Sequence, residues 1–406
     1  MSGIKGKHIV LGVCGGIAAY KCAELVRLLN KENALVKVVM TQNAEKFVGP
    51  ITFEALTQQT VCSDLFVRTN DATIGHIEWA QTADAVIIAP ATANIIGKMA
   101  NGIADDALST FLLAVTAPIL ICPSMNTHMY TNPAVQRNLK RLENDGRYIL
   151  EPGQGELACG TVGPGRLPEP SQIVDRLISY LTAKDLAGVR MLVTAGPTQE
   201  AIDPVRYISN PSTGKMGFAL ATAAERRGAQ VTLISGPTHL LDPLNVDVVH
   251  VQTANEMAKA VLTRLDQTQV VIKAAAVGDY RPAQAAVQKI KKTDDSMMLE
   301  LVRNPDILKE IGSRKKDQIV VGFAAETEDL SKNATIKLKE KKLDMIIGNL
   351  IGVEDSGFKA DTNRVTLFYK DGRTESLPVM NKLAVADGIL DRILVIFKHA
   401  LKGKGH

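Results

Sequence analysis

The chain carries one folding instruction twice. His8-Ile9-Val10-Leu11-Gly12-Val13 is a short apolar run of strand character that breaks into Gly15-Gly16 ahead of a helix-like segment. Half a chain later Arg190-Met191-Leu192-Val193-Thr194 repeats the pattern and breaks at Ala195-Gly196-Pro197-Thr198. A buried strand that turns through glycine into a helix presents backbone N–H groups at a helix N-terminus, where an anion can sit. Two such starts imply two active sites. Length agrees: 406 residues exceed what one core usually supports, so two domains of roughly 200 residues each are expected.

Composition narrows the class. Apolar residues make up 46% of the chain and aromatic ones only 4%, the balance of α/β proteins whose buried strands are rich in Val, Ile, Leu and Ala. A net charge of +4 without a long basic stripe argues against nucleic acid as a partner and leaves small anionic substrates open. The five cysteines, Cys14, Cys22, Cys62, Cys122 and Cys159, are odd in number and form no C-x-x-C pair. That argues against a disulfide scaffold or structural zinc, and for a reducing, cytoplasmic home. Apolar runs stop at strand length and no export leader is visible, so no membrane span is expected.

Along the first half, strand-like runs at 8–13, 35–40, 85–89 and 118–122 alternate with helical segments such as Ala18–Asn30, whose Ala19, Cys22, Leu25, Leu28 and Leu29 share a face. Such alternation predicts a mostly parallel sheet with helices on both sides, and ligands beyond the C-terminal strand ends. Those ends carry Gly15-Gly16, Thr41, Pro90 to Asn94 and Pro123 to Asn126. A glycine- and proline-rich stretch, Glu151 to Pro170, breaks the pattern and reads as a mobile, exposed loop. A helix from about Ser171 to Leu181 and a polar link, Thr182 to Asp185, end the first domain. The domains are thus 1–186 and 187–406. The second repeats the alternation with strands at 190–194, 230–234, 269–276, 318–323 and 344–347. A hairpin around Asp371-Gly372 and a C-terminal helix follow. The fold class is α/β, two Rossmann-like three-layer domains.

Gly12-x-x-Gly15-Gly16 does not fit the dinucleotide fingerprint, so NAD binding is not supported. Residues 7 to about 181 resemble the flavin-containing cysteine decarboxylases. The resemblance rests on the Gly15–Lys21 loop, Gly75-His76-Ile77, Pro90 to Asn94, Gly102 to Asp106, Pro123 to Tyr130 and Ala158-Cys159-Gly160-x-x-Gly163-Pro164-Gly165-Arg166. It implies a flavoprotein-type domain in which Gly15, Gly16, Thr41 and the region of Ser109 hold the FMN phosphate, while Ala91, Thr92 and Asn94 border the ring. His76 would act beside the flavin and Asn126 would clamp the substrate carboxylate. Cys14 stands where Ser is common, and Tyr130 where the motif usually has Trp. Cys159, in a segment unable to form a core, suits proton donation because a thiol's pKa of about 8.5 lies near working pH. The implied reaction is decarboxylation of an N-acyl cysteine, with FMN oxidising the thiol to provide an electron sink and Cys159 protonating the product.

In the second half Asn210-Pro-Ser-Thr213-Gly214-Lys215 is not a Walker loop, because Ser209 and Met216 stand where Gly and Ser or Thr are required. Residues 188–398 resemble the phosphopantothenate–cysteine ligases through Ala274 to Pro282, Lys289 to Lys292, Asn304 to Leu308, Gly322 to Thr327 and Lys337-x-x-x-Lys341. Gly278 replaces a more usual Ala. The resemblance implies CTP binding through Ala274, Ala275, Asp279, Lys289, Pro305, Asp306, Ile307, Leu308, Phe323, Lys337 and Lys341, with Mg²⁺ present. The 4'-phosphopantothenate carboxylate would attack the α-phosphate, and L-cysteine would displace CMP. Lys289 would stabilise the α-phosphate and Asn210 the acyl-cytidylate. Taken alone, the Lys289 cluster reads equally as a solvated loop edge, and Lys337 with Lys341 as an exposed helix face. No residue visibly distinguishes CTP from ATP, and no metal ligands stand out. Joined in this order the halves match a bifunctional family of coenzyme A synthesis, which implies trimeric decarboxylase and dimeric ligase domains closing as a dodecamer. A flavin-binding electron carrier with an inert C-terminal interaction domain would predict neither a thiol in a glycine-rich flap nor a clustered nucleotide site, and a flavin prenyltransferase or a peptide cysteine decarboxylase would share the first fold but not need residues 188–398.

Overall fold

A computed structural model describes residues 3–64, 75–157, 160–291, 297–326, 330–350 and 361–402. The chain divides into two units, Met1–Thr182 and Ala183–His406.

In the first unit His8–Val13 (β1), Leu35–Met40 (β2), Ala85–Ala91 (β3), Ile119–Pro123 (β4) and Tyr148–Ile149 (β5) form one sheet in the order β2-β1-β3-β4-β5, with every pair parallel. That is the flavodoxin-like order, whose direction reverses between β1 and β3, and ligands of such sheets bind at that switch point. Strand alternation builds the layers. Ile9, Leu11 and Val13 enter one core with Ala85, Ile87 and Ala89, while Val10, Val86 and Ile88 enter the core on the opposite face. The first helix begins as a 3-10 turn, Ile17–Tyr20, and continues as Lys21–Lys31, burying Ala19, Cys22, Leu25, Val26 and Leu29.

The stretch expected to be a loop from Glu151 to Pro170 contains an antiparallel hairpin, Gly153–Glu156 (β6) and Val162–Arg166 (β7). Its glycines serve close approach rather than mobility. A Cβ at Gly165 would lie 2.1 Å from the Met125 carbonyl oxygen, and one at Gly163 would lie 2.7 Å from Thr127 Cγ2. The hairpin therefore docks on the turn that follows β4.

The second unit runs through Arg190–Ala195 (β8), Gln199–Ala201 (β9), Tyr207–Ser209 (β10), Gln230–Ser235 (β11), Asp247–His250 (β12), Val270–Lys273 (β13), Tyr280–Pro282 (β14), Leu301–Arg303 (β15), Ile319–Glu326 (β16) and Met345–Leu350 (β17). Thr362–Asn363 (β18), Thr366–Tyr369 (β19), Thr374–Ser376 (β20) and Met380–Asn381 (β21) complete it. The main sheet is ordered β12-β11-β8-β13-β16-β17-β19-β20. Its first six strands are parallel and follow the 3-2-1-4-5-6 order of dinucleotide-binding folds; the last two are the expected antiparallel hairpin. Here the order reverses between β8 and β13. The pairs β9–β10 and β14–β15, too short to show a period in sequence, form separate antiparallel ribbons. The strand expected over 269–276 ends at Lys273, because the next N–H groups turn away: Ala275 N donates to Thr194 Oγ1 at 3.2 Å and Ala276 N to the Gly196 carbonyl at 2.9 Å.

Candidate functional site

Above the β1/β3 switch point lies a cavity of about 1150 Å³. The ends of four of the five strands contribute to its wall: Gly15 and Gly16 after β1, Thr41 after β2, Thr92 and Asn94 after β3, and Ser124, Met125 and Asn126 after β4. Thr41 and Thr92 cap the helices that follow, their hydroxyls accepting from Ala44 N at 3.3 Å and Ile95 N at 3.4 Å. A Cβ at Gly15 would meet the Asn43 backbone at 2.7 Å, whereas Gly16 has open space around it. The turn thus packs by one glycine and exposes its backbone by the other, a cradle for one phosphate.

Asn126 caps the turn Thr127–Tyr130: its Oδ1 accepts from His128 N at 2.8 Å, and its Nδ2 reaches Thr161 Oγ1 at 3.3 Å. Thr161 belongs to the docked hairpin, whose Gly165 carbonyl accepts Met125 N at 3.0 Å. Glu156, Leu157 and Arg166 bring that hairpin onto the wall. Cys159 and the side chain of His76, on the helix Gly75–Thr82, lie outside the described residues.

Two expected flavin contacts are not on the wall. Ala91 is fully buried, the last residue of β3, and offers only its carbonyl, taken by Ser124 N at 3.0 Å. Ser109 is 2% exposed; its N–H donates to Asp106 Oδ1 at 2.8 Å and its hydroxyl accepts from Asp106 N at 3.0 Å, closing a capping box. Cys14 is likewise in the core, its thiol pushed up to about 12 by burial. A charged wall residue that sequence reasoning missed is Lys98. It lines the cavity and pairs with Asp105 at 2.5 Å and Asp106 at 2.6 Å. Burial disfavours its ammonium, but those hydrogen bonds hold its pKa above the ordinary value.

The second unit has a cavity of about 350 Å³ at the C-terminal end of β13, walled also by the start of the helix Ile307–Arg314. Asp279, Pro305, Asp306, Ile307, Leu308 and Lys341 line it, six of the residues singled out from sequence. The loop from Ala274 to Tyr280 is held from several sides. Gly278 N donates to Thr198 Oγ1 at 3.0 Å, Asn304 Nδ2 to the Gly278 carbonyl at 2.9 Å, and Asn304 N to the Asp279 carbonyl at 2.8 Å. Asn210 Nδ2 lies 3.2 Å from both the Ala276 and Val277 carbonyls. A Cβ at Gly278 would find nothing closer than 3.5 Å, so the departure from Ala is sterically neutral.

Asp306 caps the helix Ile307–Arg314 and receives Lys341 at 2.9 Å; despite burial, that hydrogen bond keeps its carboxyl below the usual range. The residue sequence reasoning missed is Lys273, at the end of β13 on the cavity wall. Its ammonium donates to the Ala275 carbonyl at 2.9 Å, and burial, with Lys341 adding, lowers its pKa to about 8. The available signal was a lone cation ending an apolar switch-point strand. Ala274, Ala275, Phe323, Lys337 and Lys289 are not on this wall: Ala275 is in the core, Ala274 and Phe323 pack against the core, and Lys289 is exposed on the segment after β14. Among the described residues no three His, Cys, Asp or Glu side chains converge as a metal site, and no helix is long and apolar enough to cross a membrane.

Residues 2–182 match the family described as Flavoprotein, and residues 186–396 the one described as DNA/pantothenate metabolism flavoprotein C-terminal domain. The chain is 50% identical to the Coenzyme A biosynthesis bifunctional protein CoaBC of Bacillus subtilis (strain 168), covering 97% of this chain and 98% of that protein. It is 45% identical to the protein of the same name from Escherichia coli (strain K12), covering 96% and 97%. Among solved structures, the C-terminal domain of a protein of that name aligns at 43% identity over 53% of this chain and all of that one, with a TM-score of 0.47.

Proposed function

This chain belongs to the family of bifunctional proteins of coenzyme A biosynthesis, and from that membership we infer how its two units divide two reactions. The enzyme ligates cysteine to 4'-phosphopantothenate and decarboxylates the resulting 4'-phosphopantothenoylcysteine to 4'-phosphopantetheine. The first unit is the decarboxylase and FMN its flavin; the second is the ligase and CTP its nucleotide. The observation that carries the reading is that each unit has a cavity at the C-terminal ends of its parallel strands, the first at the point where the strand order reverses and the second at the end of β13.

In the decarboxylase the open Gly16 turn and the helix caps at Thr41 and Thr92 supply N–H groups for a single phosphate. Bound FMN supplies reversible two-electron chemistry at the substrate's thiol-bearing carbon. Asn126, fixed by its cap and by Thr161, holds the substrate carboxylate. His76 is the base or electrostatic partner beside the ring, and Cys159 returns the last proton.

In the ligase the Pro305–Leu308 turn, Asp279 and Lys341 hold the nucleotide. Ala274, Ala275, Phe323 and Lys337 complete its surroundings. The phosphopantothenate carboxylate attacks the α-phosphate, pyrophosphate leaves, and the cysteine amine then displaces CMP from the acyl-cytidylate. Lys289 stabilises charge that grows on the α-phosphate, so it acts on the transition state more than on the bound substrate. Asn210 holds the intermediate. Mg²⁺ would neutralise charge on the triphosphate, an ion commonly held by one or two carboxylates together with substrate phosphates. Trimers of the first unit and dimers of the second, closing as a dodecamer in the cytoplasm, belong to the same reading and are tested by light scattering.

The test is an absorption spectrum of the purified full chain, followed by incubation with phosphopantothenate, cysteine and either CTP or ATP. A flavin spectrum, CTP-dependent pyrophosphate release and CO₂ are expected. Protein that stays colourless after added FMN rejects the first assignment. Pyrophosphate release with ATP alone rejects the second.

A further inference from the structure

Asp203 is 3% exposed, and its two carboxylate oxygens do different jobs. Oδ1 shapes its own turn, accepting Val205 N and Arg206 N, each at 2.8 Å. Oδ2 reaches out of the turn. It accepts Arg206 Nε at 2.9 Å and Nη2 at 2.5 Å, and it accepts Ile290 N at 3.2 Å from a segment far along the chain. Arg206 Nη2 then donates to the Ile290 carbonyl at 2.8 Å. One peptide residue is thus held at both its N–H and its C=O by an ion pair. Nearby, Ala286 N donates to the Ile202 carbonyl at 2.9 Å. The Arg206 guanidinium holds the Asp203 carboxyl far below the usual range, so the clamp stays charged at any physiological pH.

The clamped residue adjoins Lys289, which is exposed on a segment assigned to no strand or helix. An exposed lysine has many rotamers and its backbone here has no ladder to fix it. The turn that carries the clamp leads through Tyr207–Ser209 into Asn210. The geometry points to Asp203 as a positioning residue for the ligation step: with Arg206 it fixes the backbone at Ile290 and so sets where the Lys289 ammonium can reach relative to Asn210. The inference rests on the reading of Lys289 given above and extends it to a buried carboxylate that touches no substrate.

Asp203→Asn isolates the clamp. The amide oxygen can keep the Oδ1 role and the turn, while the NH₂ group faces the Arg206 and Ile290 donors and takes the Oδ2 acceptor from both, leaving Arg206 only the Ile290 carbonyl. In the full chain, pyrophosphate release from CTP and phosphopantothenate is measured for the parent, Asp203→Asn, Lys289→Gln and the double variant. A misplacement near 1 Å at a reacting group costs about 10²-fold, so the rate constant of Asp203→Asn should fall by about that factor while half-saturation by CTP stays near the parent value. In the Lys289→Gln background the same change should cost less than threefold, because the residue it positions is already lost. A full, multiplicative loss in the double variant overturns the inference, as does a parent rate in Asp203→Asn. Lys289→Gln at the parent rate instead overturns the reading of Lys289 itself. If Asp203→Asn lowers the melting transition of the second unit to the assay temperature, Arg206→Met breaks the clamp from its other side, and the same cycle decides.

Discussion

Replacing Gly165 with Ala should separate the two activities by a distance that can be worked out in advance. Gly165 sits at φ +144, where an L side chain is strained, and its added Cβ would lie 2.1 Å from the Met125 carbonyl oxygen. Real Cβ contacts essentially never fall below 3.0 Å, so the hairpin and the β4 turn must part by at least 0.9 Å, the difference of the two. The bond from Met125 N to the Gly165 carbonyl, now 3.0 Å, and that from Asn126 Nδ2 to Thr161, now 3.3 Å, both stretch past useful length. Backbone strain of about 1–3 kcal/mol falls on an edge hairpin rather than on the sheet, so the unit stays folded. A displacement near 1 Å costs a positioned reaction about 10²-fold. CO₂ release from supplied phosphopantothenoylcysteine should therefore drop by about two orders of magnitude, with the flavin spectrum and pyrophosphate release unchanged. Decarboxylation within threefold of the parent refutes the docking argument. Loss of flavin refutes its local character.

Three further outcomes follow from the second unit. Lys289→Gln should slow pyrophosphate release by about 10²–10³ while leaving decarboxylation intact, and a parent rate would show a solvated lysine. Lys273→Met should raise the calorimetric transition of this unit at pH 7. A lysine lowered from 10.5 to about 8 destabilises the fold wherever both states are protonated, below about pH 8, and that penalty fades as pH rises to 10.5. The gap of 2.5 pH units, 10.5 less 8, corresponds to at most about 3.5 kcal/mol at about 1.4 kcal/mol per unit, so an advantage of Met that persisted at pH 10.5 would contradict it. Gly278→Ala should leave ligation unchanged and add about 0.4–1 kcal/mol of stability, because its Cβ meets nothing tighter than 3.5 Å; a lowered transition would show hidden strain.

The parts of this fold legible in sequence were those with a period. Strands such as His8–Val13 and Arg190–Ala195 are buried on both faces, so they read as continuous apolar runs, and the glycines that end them marked both switch points. Residues at strand ends, such as Thr41, Thr92 and Asn126, were found for the same reason. The hairpin over 153–166 was misread because glycine has no side chain to alternate, and its role there is to let two backbones approach. Ser109 illustrates a local competition. A hydroxyl near a phosphate cradle suggests a ligand, yet Asp106-x-x-Ser109 is also a reciprocal capping pair, and the helix claims the hydroxyl. Lys273 was hidden by its neighbours, since Val270-Val271-Ile272 reads as core and a lone cation at its end was the one sign that the strand surfaces there.

Strands that are apolar on both faces carry a vulnerability. A slip of one residue exchanges one greasy surface for another, so hydrophobicity alone protects alignment weakly. The edge away from the cavities supplies what the faces cannot. Asp84 Oδ2 takes the first N–H of β1 at 2.7 Å, Gln269 Oε1 that of β8 at 2.9 Å, and Asp344 Oδ2 the N–H of Val320 in β16 at 2.8 Å. Each is a side chain from the residue just before a neighbouring strand, so every lock counts residues between two adjacent rows. Alignment is thereby fixed at one end of each sheet, which leaves the opposite end at liberty to spend its glycines, amides and lysines on ligands.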